Sequence, residues 1–70
     1  MNINEVIFMQ VRILRLFCIR YGISVNKMHK IFSENGIYTL ISDGYPGYHC
    51  GGDEIVYEDV KGILTERGVL

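Results

Sequence analysis

The chain lacks tryptophan and has only one proline and two cysteines among its 70 residues. Cys18 and Cys50 lie far apart in the sequence, without the short paired spacings that structural zinc sites use. Two cysteines allow one disulfide at most, and Cys18 lies in an apolar run where a buried free thiol is the usual state. We therefore expect reduced thiols in a cytoplasmic protein with no metal and no cofactor.

A long uninterrupted hydrophobic run is also missing. The most apolar stretch, residues 6–19, contains Arg12 and Arg15 and is shorter than the roughly 20 residues that a membrane span needs. No cationic residue precedes it and no small-residue cleavage site follows, so it is not typical of a signal peptide. We expect this stretch to form a buried helix and the protein to have no membrane association.

The charged residues are divided unequally along the chain. Residues 1–30 carry five basic and one acidic side chain, whereas residues 31–70 carry two basic and seven acidic ones, within a net charge of −1. With 49% hydrophobic and 21% charged residues, the composition is that of one globular domain over residues 1–70. The unequal division of charge could steer a partner or join copies head to tail. We favour the alternative that the basic and acidic parts of the chain pack against each other within one domain.

Helical periodicity predicts an all-α bundle of four helices, one of them short. The first spans residues 3–21 and is closed by Gly22; the second follows an N-cap at Ser24 and ends at Asn35-Gly36. A short third helix covers residues 37–42, a glycine-rich loop follows, and the last helix covers roughly residues 57–67. The predicted inner face of the first helix carries Ile3, Val6, Ile7, Val11, Ile13, Leu14, Phe17, Cys18 and Tyr21.

The glycine-rich stretch, residues 42–53, contains adjacent His49 and Cys50. Neighbouring residues rarely direct their side chains at each other, and no third orienting group is evident, so we do not expect a thiol active site or an enzyme. The glycines also lack the arrangement of a phosphate-binding loop. We expect a structured connector in which Tyr45 and Tyr48 pack on the first helix and His49 binds loop backbone groups.

Three short motifs lie in the predicted first helix, the loop and the last helix. They are Phe17, Cys18 and Ile19 in the first helix; Tyr45, Tyr48, His49 and Gly52 in the loop; and Val56, Glu58 and Asp59 in the last helix. Through these motifs the sequence resembles a family of small bacterial domains of unknown function. The resemblance covers nearly the whole chain through short motifs, and it departs at Pro46-Gly47 and at an inserted Tyr57. It implies a fold without assigned activity and a genetic association with proteins that look like ADP-ribosyltransferases, as in toxin–antitoxin pairs.

The other face of the first helix is the candidate binding surface. It is expected to carry Phe8, Met9, Arg12, Arg15, Leu16 and Ile19. One alternative is that the short helices and the C-terminal tail cover these residues; the other is an exposed apolar strip, which marks protein–protein contact. On the second view the chain is a non-enzymatic interaction module, antitoxin-like or regulatory, that binds a second copy of itself or a different protein.

A second hypothesis is a small nucleic-acid-binding regulator. Its basic residues would be Arg12, Arg15, Arg20, Lys27 and Lys30. The second and third helices superficially resemble a helix-turn-helix, yet residues 37–42 offer almost no polar side chains that could read base edges. A pI near 6 gives little general attraction for phosphates, so this hypothesis is the weaker one.

Overall fold

The computed structural model describes residues 2–70, which form four α-helices without a strand. They are α1 (Ile3–Tyr21), α2 (Val25–Glu34), α3 (Ile37–Gly51) and α4 (Asp53–Glu66). Helix α1 contacts each of the other three, and the bundle measures 30 × 22 × 20 Å. The prediction of a small four-helix, all-α domain is confirmed.

Gly22 and Ser24 cap the first two helices as expected, and Asn2 is an additional N-cap that was not predicted. The Asn2 side chain accepts a 2.9 Å hydrogen bond from the Asn4 backbone N–H, and α1 ends at Gly22 with φ 64°. The Ser24 hydroxyl accepts from the Lys27 backbone N–H at 3.2 Å, which starts α2. Side-chain oxygens at N-caps satisfy N–H groups that have no partner within the helix.

The predicted short third helix and glycine-rich loop are wrong. Helix α3 continues through Gly44 and Pro46 to Gly51, and only Gly52, at φ 88°, separates it from α4. Residues Ile37, Ile41 and Tyr45 are all buried at a spacing of four residues, so packing holds this segment helical against its weak local propensity. Helix α4 accordingly begins at Asp53, four residues earlier than predicted.

The core centres on Phe17 of α1, which is fully buried. Its ring centroid lies 5.6 Å from that of Phe32 on α2 and 4.5 Å from that of Tyr57 on α4. Such aromatic contacts add to the free energy gained by burial. The full set of buried residues is Val6, Met9, Ile13, Leu14, Phe17, Met28, Phe32, Ile37, Ile41, Tyr45, Val56, Tyr57, Val60 and Leu64.

The predicted inner face of α1 is rotated from the observed one. Ile3, Ile7 and Val11 were expected inside but are 63%, 45% and 46% exposed, whereas Met9 is 2% exposed and belongs to the core. The periodicity is ambiguous because α1 carries apolar residues almost all the way round. Gly62 on α4 does not mark a close helix contact, because a Cβ there would have no atom within 4 Å.

Candidate partner-binding surface on helix α1

The solvent-facing side of α1 carries several large apolar residues. We call it the α1 outer surface and define its apolar members as the exposed residues Ile3, Ile7, Phe8, Val11 and Ile19. Phe8 is 61% and Ile19 is 73% exposed. Single exposed apolar residues are ordinary, but a contiguous group along one helix is a feature of binding surfaces.

The structure divides the six predicted interface residues into three groups. Phe8 and Ile19 lie on the α1 outer surface, and Arg12 and Arg15 are also exposed. Leu16 is half-buried against the core. Met9 lies in the core, so its prediction as a surface residue is wrong: its position on the helix turns it toward the other three helices.

A groove of about 400 Å³ lies between the second half of α1 and the start of α4. Leu16 and Ile19 supply its apolar lining. Its polar lining comes from Arg12 and Arg15 on α1 and from Asp53 and Glu54 on α4. Four of the six predicted residues therefore surround one groove, whereas its two acidic residues were not predicted.

Two ion pairs join α1 to α4 along this groove. Arg12 Nε donates to Asp53 Oδ2 at 2.8 Å, and the Arg20 guanidinium contacts the Glu54 carboxylate with both terminal nitrogens. The hydrogen bond that Arg12 donates to Asp53 raises the pKa of Arg12, and the one that Glu54 accepts from Arg20 lowers the pKa of Glu54. Arg20 also lies over the Tyr57 ring, 4.3 Å from its centroid.

These pairs leave α1 with two charges that have no oppositely charged partner among residues 2–70. Glu5, near the N-terminus of α1, accepts a hydrogen bond only from the neutral Tyr45 hydroxyl, at 3.1 Å. Arg15, in the second half of the helix, forms no ion pair in this part of the chain. The acidic charge therefore lies near one end of the exposed helix face and the basic charge nearer the other.

A second cleft, of about 420 Å³, lies on the α3 side of α1. It is lined by Glu5, Tyr45, Pro46 and His49. The His49 ring stacks on the Tyr45 ring, with centroids 5.3 Å apart. Burial, followed by the hydrogen bond to Glu5, raises the pKa of the Tyr45 phenol. The cleft thus places a carboxylate beside two aromatic faces.

The four family-motif residues lie on and just beyond α3, not in a loop. Tyr45 packs on α1 as predicted, and the Tyr48 hydroxyl donates to Asp59 Oδ2 on α4 at 3.0 Å. His49 was expected to bind backbone groups but stacks on Tyr45 instead. Gly52 forms the sharp connection to α4 through its positive φ.

Adjacent His49 and Cys50 do not form an aligned nucleophile–base pair. The Cys50 sulfur lies 3.7 Å from Nε2 and 4.0 Å from Nδ1, nearly the same distance from both ring nitrogens. A thiol activated by a histidine points at one nitrogen, and a third group orients that base. Within residues 2–70, the His, Cys, Asp and Glu side chains form no cluster of three suited to a metal ion.

Comparison with known families adds an assignment. Residues 8–67, which extend from the first half of α1 to just past α4, match the family described as Protein of unknown function (DUF3791). The chain belongs to this family. The expected small domain of unknown function is therefore confirmed. Curated proteins and solved structures give no match to the DUF3791 chain. Among residues 2–70, moreover, none of its helices combines the length and apolarity that crossing a bilayer requires.

Proposed function

We propose that this chain is a non-enzymatic protein-interaction module that binds its partner through the α1 outer surface. The observation that carries the proposal is the exposure of Phe8, Ile19 and their apolar neighbours on a helix whose other face completes the core. Full burial of one such side chain is worth about 1.5–3 kcal/mol. Covering several of them would offset part of the entropy cost of association.

The shape of α1 suits a helix-in-groove contact. It is an uninterrupted 19-residue helix, and its exposed side is reachable along most of its length. Helices bind protein grooves by presenting apolar side chains at intervals of three and four residues. Phe8, Val11 and Ile19 meet that requirement, with Arg15 between them, and arginine is enriched at such interfaces.

The most specific form of the proposal is an antitoxin-like or regulatory role in the bacterial cytoplasm. It rests on the resemblance described above, which associates these domains with proteins that look like ADP-ribosyltransferases. A small helical domain that covers a partner enzyme through one apolar helix would fit that role. The His49 region would then contribute structure and no chemistry.

Nucleic-acid binding is less well supported than the sequence suggested. Of the five predicted basic residues, Arg12 and Arg20 are neutralised by acidic residues of α4, which leaves Arg15, Lys27 and Lys30 for contact with phosphates. Ile37 and Ile41 of α3, the counterpart of a recognition helix, are fully buried. Fluorescence anisotropy with duplex DNA at low salt tests this function, and absence of binding there would exclude it.

The proposed function is tested by affinity capture from the native bacterium with a tagged chain and two matched variants. Phe8→Asp places a charge on the α1 outer surface, and Val25→Asp places one on an exposed apolar residue of α2, 56% exposed. We expect the wild type and Val25→Asp to retain a stoichiometric protein partner or self-association, and Phe8→Asp to lose it. Equal binding by all three chains would contradict the proposal.

A further inference from the structure

We infer that the α1 outer surface binds a second copy of this chain, with the two α1 helices packed antiparallel about a two-fold axis. This inference rests on the proposed function, since it identifies the partner of the same surface. Two-fold dimers are the commonest oligomers of soluble proteins, and their interfaces must be self-complementary. The sequence of exposed residues along α1 has that property.

The seam of the α1 outer surface consists of Asn4, Phe8, Val11 and Arg15, all of them exposed. Their spacing of four, three and four residues is that of residues facing a partner in paired helices. The order along the helix is polar, apolar, apolar, polar. Because this pattern reads alike in both directions, antiparallel alignment places Phe8 opposite Val11 of the second copy and Asn4 opposite its Arg15.

The charges of α1 favour the same alignment. Arg12 and Arg20 are paired within the chain, so Glu5 and Arg15 are the charges of α1 that form no ion pair among residues 2–70. They are separated by ten residues, or about 15 Å along the helix axis. In an antiparallel pair, Glu5 of each copy approaches Arg15 of the other, which gives two symmetric ion pairs.

A parallel arrangement would be electrostatically unfavourable. It would bring the two Arg15 side chains together and the two Glu5 side chains together, and like charges at that range repel. It would also align the two helix dipoles in the same direction. The antiparallel pair removes both costs.

The cleft beside Glu5 is a binding site for the Arg15 side chain of the second copy. Glu5, Tyr45, Pro46 and His49 line it, with the Tyr45 and His49 rings stacked at its side. A guanidinium group can form hydrogen bonds with a carboxylate while it stacks on an aromatic face. The Arg15 side chain of the second copy would therefore fill a cleft that is otherwise left without a role.

Sedimentation equilibrium of the full chain and two charge variants tests the inference. In Glu5→Lys, each new lysine would face Arg15 of the other copy, and in Arg15→Glu each new glutamate would face Glu5. We expect a wild-type dimer and a loss of at least about tenfold in dimer affinity, or about 1.4 kcal/mol, in each variant alone. A one-to-one mixture of the two variants restores opposite charges at both contacts, so we expect a heterodimer with affinity near that of the wild type.

A second pair of variants guards against a folding defect. Glu5→Lys also removes the hydrogen bond from Tyr45. If circular dichroism shows that this variant has lost helix content, Asn4→Lys is used in its place, because residue 4 lies at the same end of the seam. The mixture with Arg15→Glu again restores opposite charges. A mixture no tighter than the single variants would overturn the antiparallel pairing.

The outcome separates this inference from the proposed function. A wild-type chain that stays monomeric at all concentrations, yet captures a different protein in a Phe8-dependent manner, would overturn the dimer and leave the proposed function standing. A monomer that captures nothing through Phe8 would overturn both. A dimer that survives Phe8→Asp would overturn this inference, because its contact would lie elsewhere.

Discussion

Two phenylalanines on α1 show how residues of one type take opposite roles within one helix. The Phe17 ring is fully buried, with its centroid 4.5 Å from that of Tyr57 and 5.6 Å from that of Phe32, so it joins α1 to α4 and α2. Phe8, two and a half turns earlier, is 61% exposed. We therefore assign Phe17 to stability and Phe8 to binding.

Alanine substitution at these two residues should separate the two roles. Phe17→Ala is expected to lower the free energy of unfolding by about 3–5 kcal/mol, through lost burial and a new cavity. A 70-residue domain has roughly 4–10 kcal/mol in total, so a large part would be lost. Phe8→Ala should change it by less than about 0.5 kcal/mol.

Urea unfolding followed by circular dichroism measures both variants. Protein concentration is kept low enough for the chain to be monomeric, because self-association would add its own stabilisation. If Phe8→Ala proved as destabilising as Phe17→Ala, Phe8 would be part of the fold, and its use for a partner would be ruled out.

The sequence predicts Phe17 as a core residue and Phe8 as an exposed one, but the predicted positions of Met9 and Val11 are wrong. Both lie on a helix that is apolar in almost every direction, so spacing alone does not fix which sector faces the core. Tertiary packing decides it: α2, α3 and α4 cover the side that includes Met9. The excess of apolar residues was itself a usable signal that some of them remain exposed.

Helix α3 shows tertiary contacts overriding local propensity at the scale of an element. Pro46 has no N–H to donate within the helix, and three glycines add their own conformational cost. The segment is nevertheless helical to Gly51, because Ile41 and Tyr45 are buried and Tyr48 is hydrogen-bonded to Asp59. The predicted loop is therefore wrong because a glycine does not end a helix that buried neighbours hold in place.

Two glycines of α3 provide a matched test of this explanation. A Cβ at Gly47 would have no atom within 4 Å, so Gly47→Ala should stabilise the protein by about 1 kcal/mol through helix propensity. A Cβ at Gly44 would lie 2.6 Å from the Tyr48 ring. Gly44→Ala should therefore displace that ring and lose the contact with Asp59, and it should be less stable than Gly47→Ala.

Thermal and urea unfolding of both alanine variants checks the ranking. Gly36→Ala serves as a control for backbone strain, because Gly36 precedes α3 with φ 66° and a side chain there is disfavoured. Equal stabilisation by Gly44→Ala and Gly47→Ala would show that Tyr48 does not hold α3 in place.

At the scale of the whole molecule, the division of charge along the sequence is partly resolved by contacts between its halves. Arg12 pairs with Asp53 and Arg20 with Glu54, which joins the basic first part to the acidic second part. The pairs are solvent-exposed, so each contributes little stability. Their larger effect is to select which α1 charges remain available to a partner.

The candidate site was predictable only where its residues share one helix. Arg12, Arg15, Leu16 and Ile19 recur at helical spacing, so the sequence alone places them on one side of α1. Asp53 and Glu54 lie more than thirty residues away, and a pattern within one element cannot bring them to the groove. The four-helix architecture could be predicted because helix caps and apolar spacing are signals that lie within a single element.

Three tyrosines at contacts between helices make the free energy of unfolding depend on pH in the alkaline range. Burial raises the pKa of Tyr38, Tyr45 and Tyr48 above the ordinary value of 10.0, and hydrogen bonds to carboxylates add to the effect at Tyr45 and Tyr48. A folded-state pKa above the unfolded one favours the native state below pH 10. That contribution is lost as the pH rises through the folded pKa.

We therefore expect the free energy of unfolding to be insensitive to these tyrosines below about pH 9 and to fall above pH 10. The double variant Tyr45→Phe/Tyr48→Phe should show a shallower alkaline decline, because two of the groups that bind protons more tightly in the folded state are removed. Urea unfolding at successive pH values measures the slope, with Tyr21→Phe, at the exposed end of α1, as the control. An unchanged slope in the double variant would mean that the contacts of Tyr45 with Glu5 and of Tyr48 with Asp59 do not couple α3 to its neighbours.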